Sequence, residues 1–254
     1  MATYAMTGGA TGIGAALKKR LREQGDTVIV VDIQDGDVTA DLSTGEGRRA
    51  AIDGIRARAP EGLDGFIPCA GLGPHFGVHS TVAKVNYFAV VETIEGVRDL
   101  VEKKKGSILL VSSNSAPMMP PDDPFVQLCL AGDEAGACAH VEGKDGQTAY
   151  AGSKRAVTVW MRQNVQEYAA AGVRLNAVAP GITVTPLTEA GMKDTAYAQA
   201  MKDFAAMTPV GGSAQPEQIA AAMQFLLSPA ASFVCGSVLF VDGGTDALLR
   251  PRDF

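Results

Sequence analysis

TGGATGIG, residues Thr7 to Gly14, sets Gly8, Gly12 and Gly14 in a GxxxGxG spacing. The six residues that end at Thr7, ATYAMT, are short and apolar and read as a buried strand. After the glycines, Ile13 to Gln24 places Ile13, Ala16, Leu17 and Leu21 on one face of a helix, which Gly25 and Asp26 end. Glycines between a strand and a helix allow a tight turn and a close backbone approach. The helix N-terminus adds unpaired N–H groups and a favourable dipole. The stretch therefore predicts a pyrophosphate site lined by Gly8, Thr11, Gly12, Ile13 and Gly14.

Outward from this turn, strands and helices alternate. TVIVVD, DGFIPCA, SILLVSS, VRLNAVA and SVLFVD read as further strands, continuous in apolar residues as buried parallel strands are. Helices are predicted at Glu46 to Arg58, about Ser80 to Lys105, Thr148 to Ala170 and Pro216 to Leu227. The fold class expected is α/β: a single Rossmann-type doubly wound parallel sheet of about seven strands, with helices on both faces. A length of 254 residues fits one domain, 1–254. Two stretches interrupt the alternation, an inserted segment at about 116–147 and a loop region at about 181–212. Both fall on the C-terminal side of strands, where ligands bind in such sheets.

Asp32 ends TVIVVD, where a carboxylate can accept hydrogen bonds from adenosine ribose hydroxyls and repel a 2′-phosphate. Neutral Ile33 and Gln34 follow, and the glycine motif holds no Lys or Arg, so NAD is favoured over NADP. Asp41 and Leu42 are placed to frame the adenine; the other reading of Asp41 is an N-cap for the next helix. In AYAGSK, Tyr150 and Lys154 lie four apart and share a helix face. A phenol titrates near ~10, too high for a base at neutral pH; a neighbouring ammonium and an oxidised nicotinamide both favour the phenolate, so Tyr150 can act as acid–base catalyst. Ser112 and Ser113 end SILLVSS, where a hydroxyl can bond a substrate oxygen. Asn86, in KVNYF, is placed to hold a water in a proton relay; its other reading is a helix-bending or packing amide. The APGITVT segment brings Pro180, Gly181, Thr183 and Thr185, whose backbone and hydroxyls suit a carboxamide and a pyrophosphate.

Charged residues make up 20% of the chain, apolar residues 46%, and the net charge is −6. That balance buries a core and argues against nucleic acid or an anionic membrane as a partner. No apolar run reaches the roughly 18 residues of a membrane helix. No N-terminal signal pattern is seen, so a cytoplasmic location is expected. Cys69, Cys129, Cys138 and Cys235 form no CxxC pair and read as reduced thiols. His75 and His79 have a zinc-like spacing but lie in a Gly- and Pro-rich stretch without a third ligand, so no metal is expected.

The sequence resembles the short-chain dehydrogenase/reductase family in its compact form. The TGxxxGxG loop, the Ala-Gly of Cys69-Ala70-Gly71, the Asn of VNYF, the Ser of VSS, YxxxK, PG followed by Thr, and the late VDGG occur in family order over almost the whole chain. The resemblance implies Ser113, Tyr150, Lys154 and Asn86 as the catalytic set, with Tyr150 and Lys154 also at the cofactor and Cys69, Ala70 and Gly71 beside it. The implied reaction is hydride exchange between nicotinamide and a carbinol carbon. Within the family, DLSTGEGR, CAGLGP, AYAGSKRAVTV, LLSPAASFVCG and the tail VDGGTDALLRPRDF resemble a bacterial 3α-hydroxysteroid dehydrogenase/carbonyl reductase group, as does the long insert. Hydroxysteroids and other bulky ketones are the implied substrates, with Met118, Met119, Pro120, Leu187, Met192 and Met207 as candidate walls. A homo-oligomer, dimer or tetramer, is implied too, although the insert stands where it would alter or block the family's usual helix contact. One departure is Pro68-Cys69, where the family carries an asparagine that steadies the sheet. Alternatives are a dehydrogenase of aryl or terpene alcohols and a non-catalytic NAD sensor. A sugar-nucleotide epimerase shares YxxxK but needs a longer C-terminal region.

Overall fold

The sheet consists of β1 (Thr3–Thr7), β2 (Thr27–Asp32), β3 (Val38–Thr39), β4 (Gly65–Pro68), β5 (Ser107–Val111), β6 (Arg174–Pro180) and β7 (Val238–Val241). In the computed structural model these strands are all parallel, in the order β3-β2-β1-β4-β5-β6-β7. The structure describes residues 1–193 and 195–253; Asp194, within the predicted loop region, and Phe254 lie outside the described residues. The order reverses between β1 and β4, so a cleft opens at their C-terminal ends.

Alternate residues of each strand face opposite ways, and both faces are apolar. Ala5, Val31, Phe66, Ile108, Leu110 and Ala177 pack against α2 (Gly45–Arg58), α4 (Ala89–Lys104) and α7 (Gly146–Ala170). Met6, Val28, Val30, Ile67, Leu109 and Val178 pack against α1 (Gly12–Glu23) and α10 (Pro216–Leu227). Each Val, Leu, Ile, Phe or Met among them contributes about 1.5–3 kcal/mol by leaving water.

The predicted helix from Ser80 to Lys105 is present but not uniform. It comprises α3 (His79–Ala83), a π-helical turn at Lys84–Phe88, and α4. The wide turn carries Asn86 fully inside the protein. The insert is helical: a 3₁₀ turn at Ala116–Met118, then α5 (Pro124–Leu130) and α6 (Glu134–Glu142). Asp123, Asp133 and Asp145 start α5, α6 and α7 by accepting N–H bonds from Phe125, Gly136 and Thr148. Phe125, Val126 and Cys129 of α5 are buried with α7. A Cβ on Gly152 of α7 would lie 2.5 Å from the Phe125 ring, so the insert sits tightly on that helix. The second predicted loop region forms α8 (Pro186–Gly191) and α9 (Thr195–Met207). Asp41 is not the N-cap of α2. Thr44 is, its hydroxyl accepting from Gly47 N at 3.0 Å, because Asp41 lies too far upstream of the first turn.

Candidate active site

A cavity of about 860 Å³ opens over the C-terminal ends of β1, β2, β4, β5 and β6. One half of it is the glycine loop. Gly8 has φ +73°, and a Cβ there would stand 2.5 Å from the Ala70 backbone. A Cβ on Gly14 would overlap the Gly8 carbonyl. Thr11 precedes α1 in extended conformation and makes no side-chain cap, so the first-turn N–H groups of Gly12, Ile13 and Gly14 are left for a ligand in the cavity they line. Asp32 accepts from Ala10 N at 2.9 Å and Ile33 N at 2.8 Å. A carboxylate accepts about four bonds, so capacity remains for a diol. These features fit a dinucleotide: an uncapped helix end for pyrophosphate and an acid for ribose.

Asp41 is exposed, and its bonds with Ser43 hold its carboxyl below the usual range; Leu42 is buried, and both line the cavity. Cys69, Ala70 and Gly71 line it as well. The Pro68-Cys69 departure leaves the sheet well tied, because Thr7 accepts from Cys69 N through its carbonyl and from Ala70 N through its hydroxyl, both at 3.1 Å. Burial pushes the Cys69 thiol up to about 11, so it stays neutral.

Ser112 and Ser113 part company at the end of β5. The Ser112 hydroxyl is engaged with Thr158 at 2.7 Å and the Lys154 carbonyl at 3.4 Å. The Ser113 hydroxyl is close enough to the Tyr150 phenol to favour its ionisation, and it accepts from the Ser115 hydroxyl at 2.9 Å and backbone at 3.1 Å. Lys154 is 6% exposed and donates to the Val111 carbonyl at 2.8 Å. Burial raises Tyr150 above its ordinary value and the Ser113 hydroxyl opposes it; of the two charges expected to favour the phenolate, the Lys154 ammonium does not offset this burial. Asn86 makes the contacts of a packing amide. Its amide is occupied by the Leu72 backbone, N–H at 2.8 Å and carbonyl at 3.0 Å, and by Ser153 at 3.3 Å. Its side chain therefore fixes the 71–72 loop and has little capacity left for a water.

Pro180, Gly181, Thr183 and Thr185 line the cavity. The threonine hydroxyls serve the turn first: Thr183 donates to Gly181 O at 3.0 Å, and Thr185 caps α8 through Thr188. Thr188, missed from the sequence, donates to Thr183 O at 2.7 Å and lines the cavity. Of the candidate walls, Met118 and Leu187 line it, whereas Met119, Pro120, Met192 and Met207 do not. The remaining apolar lining comes from Leu72, Pro74, Phe76 and Val85, and from Tyr197, Ala200, Met201 and Phe204 of α9. Those α9 positions follow the i, i+3, i+4, i+7 spacing of one helix face, a signal present in the sequence.

Burial holds Lys154 down to about 8, below its ordinary 10.5. Between those values the unfolded chain binds a proton that the native protein does not, so this group's contribution makes native stability rise with pH across the window. We expect wild type to gain on Lys154→Met from pH 8 to 10.5 in urea unfolding. A pH-independent difference would show that the buried ammonium carries no such cost.

The model of the short chain dehydrogenase family matches residues 2–122, and a second, described as enoyl-(acyl carrier protein) reductase, matches residues 135–246. The chain is 41% identical, over 100% of both sequences, to 3-alpha-hydroxysteroid dehydrogenase/carbonyl reductase of Comamonas testosteroni. It is 31% identical, over 96% of each, to cis-4-hydroxycyclohexanecarboxylate dehydrogenase of Sinomonas cyclohexanicum. Its structure matches the crystal structure of 3-alpha-hydroxysteroid dehydrogenase from Pseudomonas sp. B-0831 complexed with NADH, with TM-score 0.94 and 43% identity over 99% of this chain and 100% of that one.

Proposed function

The chain belongs to the short-chain dehydrogenase/reductase family, and from that premise we propose that it oxidises bulky secondary alcohols of 3α-hydroxysteroid type and reduces the matching ketones. It is an enzyme, an oxidoreductase of alcohols and ketones that uses NAD(H). The observation that carries the substrate reading is the Ser113–Tyr150 pair, set between the glycine loop and an apolar chamber walled by Phe76, Met118, Tyr197, Met201 and Phe204.

Gly8, Thr11, Gly12, Ile13 and Gly14 hold the pyrophosphate, Asp32 the adenosine ribose, and Asp41 and Leu42 the adenine. Cys69, Ala70, Gly71, Pro180, Gly181, Thr183 and Thr185 complete the nucleotide wall. When bound, the nicotinamide supplies or accepts the hydride. Ser113 bonds the substrate oxygen, and Tyr150 gives or takes its proton. Lys154 spends one of its three N–H donors on Val111, keeping two for a ribose. Asn86 positions the loop between them. The apolar chamber fits a rigid fused-ring skeleton, which needs few polar contacts beyond the reacting oxygen.

The decisive test is NADH formation with purified protein over 3α-, 3β- and 17β-hydroxysteroids and simple alcohols, repeated with NADP. We expect selective oxidation of 3α-hydroxysteroids with NAD. Turnover of small or aryl alcohols alone would discard the steroid reading, and NAD binding without turnover on any substrate would favour a sensor.

Among the described residues no helix is long and apolar enough to cross a membrane; we place the protein in the cytoplasm, consistent with four free cysteines. The insert covers the start of α7, so we place a homo-oligomer contact, dimer or tetramer, away from it, at the β7 edge of the sheet. There edge strand β7 exposes Leu239, and α10 exposes Phe225. Phe225→Asp should lower the mass measured by light scattering to that of a monomer. A wild-type monomer, or an unchanged variant, would overturn this contact.

A further inference from the structure

We propose that the insert is the remote half of the adenine pocket, with Glu134 acting through Arg48 to hold the Leu42 carbonyl in place. This rests on the reading of Asp41 and Leu42 as the adenine wall.

Arg48 lies in the first turn of α2 and is 4% exposed, rare for an arginine. Its Nε donates to the Leu42 carbonyl at 3.1 Å. One terminal nitrogen donates to Glu92 of α4 at 2.9 Å and to Glu134 of α6 at 2.8 Å. The other donates to Glu134 at 2.6 Å. Four of the five guanidinium N–H bonds are thus assigned. The paired geometry to Glu134 is the strong, orienting kind. The guanidinium also holds the Glu134 carboxyl below the usual carboxylate range.

The connectivity gives the cluster its meaning. Glu134 is the first residue of α6 and belongs to the inserted segment. Leu42 belongs to the loop after β3 that lines the nucleotide cavity. That loop is fixed on its other side by α2, because the Asp41 carbonyl accepts from Thr44 N at 3.2 Å and Thr44 Oγ1 at 3.0 Å. Arg48 supplies the remaining restraint. Without Glu134 the buried cation keeps only Glu92, whose side chain is 41% exposed, and the fork loses its orientation. The Leu42 carbonyl is then held less firmly, and the cost falls on the adenine half of the ligand. Arg48 and Glu134 are positioning residues and do not touch the reacting atoms.

Glu134 is half-buried, so Glu134→Gln is isosteric and foldable; Arg48→Lys keeps the charge and loses the fork. Calorimetry with AMP, NADH and nicotinamide mononucleotide separates the two ends of the ligand. Both variants should weaken AMP and NADH by the same factor, about fivefold, and leave nicotinamide mononucleotide unchanged. KM for NAD should rise by that factor, with kcat at saturation within about twofold of wild type. A lower Tm with unchanged AMP and NADH affinity would make the cluster merely structural and overturn the proposal. Weakened NADH with unchanged AMP would overturn it also, by placing the effect outside the adenine half. Wild-type protein that binds neither AMP nor NADH would overturn the functional reading itself, and this inference with it.

Discussion

Tyr150→Phe is expected to lower turnover at least about 100-fold, and by as much as about 10⁴-fold, with NADH affinity within about twofold of wild type. The substitution removes one oxygen and keeps the ring, so the packing beside the cofactor wall survives. What is lost is the phenol whose ionisation the Ser113 hydroxyl favours. Ser113 itself stays in place, because Ser115 donates to it twice. The substrate oxygen would still be held, but no group would stand ready to exchange its proton. Burial raises Tyr150 above its ordinary value; in the role proposed for it, positive charge beside the phenol would favour its ionised form. Steady-state rates and a fluorescence titration of NADH check both halves. Near wild-type turnover would put the proton on another group.

The second large effect is expected at Gly14→Ala. NADH affinity should fall at least about 100-fold, with a lower Tm. The new Cβ would overlap the Gly8 carbonyl, a backbone atom that cannot retreat. Gly8 donates its N–H to the Val31 carbonyl at 2.9 Å and faces the Ala70 backbone on its other side. The overlap can only be relieved by opening the loop, which turns the first N–H groups of α1 away from the phosphate position. Gly143→Ala is the control: a Cβ there meets nothing within 4 Å, and binding should be unchanged. Calorimetry and thermal melts of both variants decide it. Wild-type affinity in Gly14→Ala would mean that the loop is softer than its contacts imply.

Most elements were legible because their signals are local. TVIVVD and Pro216 to Leu227 match the structure residue for residue, being an unbroken apolar run and a proline-started amphipathic helix. β3 was missed because two residues carry no period. The π-helical turn was missed because one extra residue within a long apolar pattern leaves its overall periodicity nearly intact. The helices of the insert hide among glycines and prolines, although Asp123, Asp133 and Asp145 announced their starts. Apart from Asn86, which is buried in the π-helical turn, the residues named by the linear motifs line one cavity, most from strand ends and Tyr150 and Lys154 from α7. The substrate walls were harder to read. Met119, Pro120, Met192 and Met207 have the right chemistry, but only tertiary placement brings Phe76 and the inner face of α9 to the chamber instead.

The strand order also governs how the protein is made. β1 is synthesised first but lies in the middle, flanked by β2 and by β4 from residues 65–68. β6, residues 174–180, must then be added on the far side of β5. A nascent chain emerging from the ribosome thus carries its phosphate loop long before the threonines that close the pocket, Thr183 to Thr188. Pairings this distant in sequence form slowly and leave strand edges open while they wait. Until the last third of the chain is released, the residues that line the cavity cannot all come together, and the early strands keep an open edge.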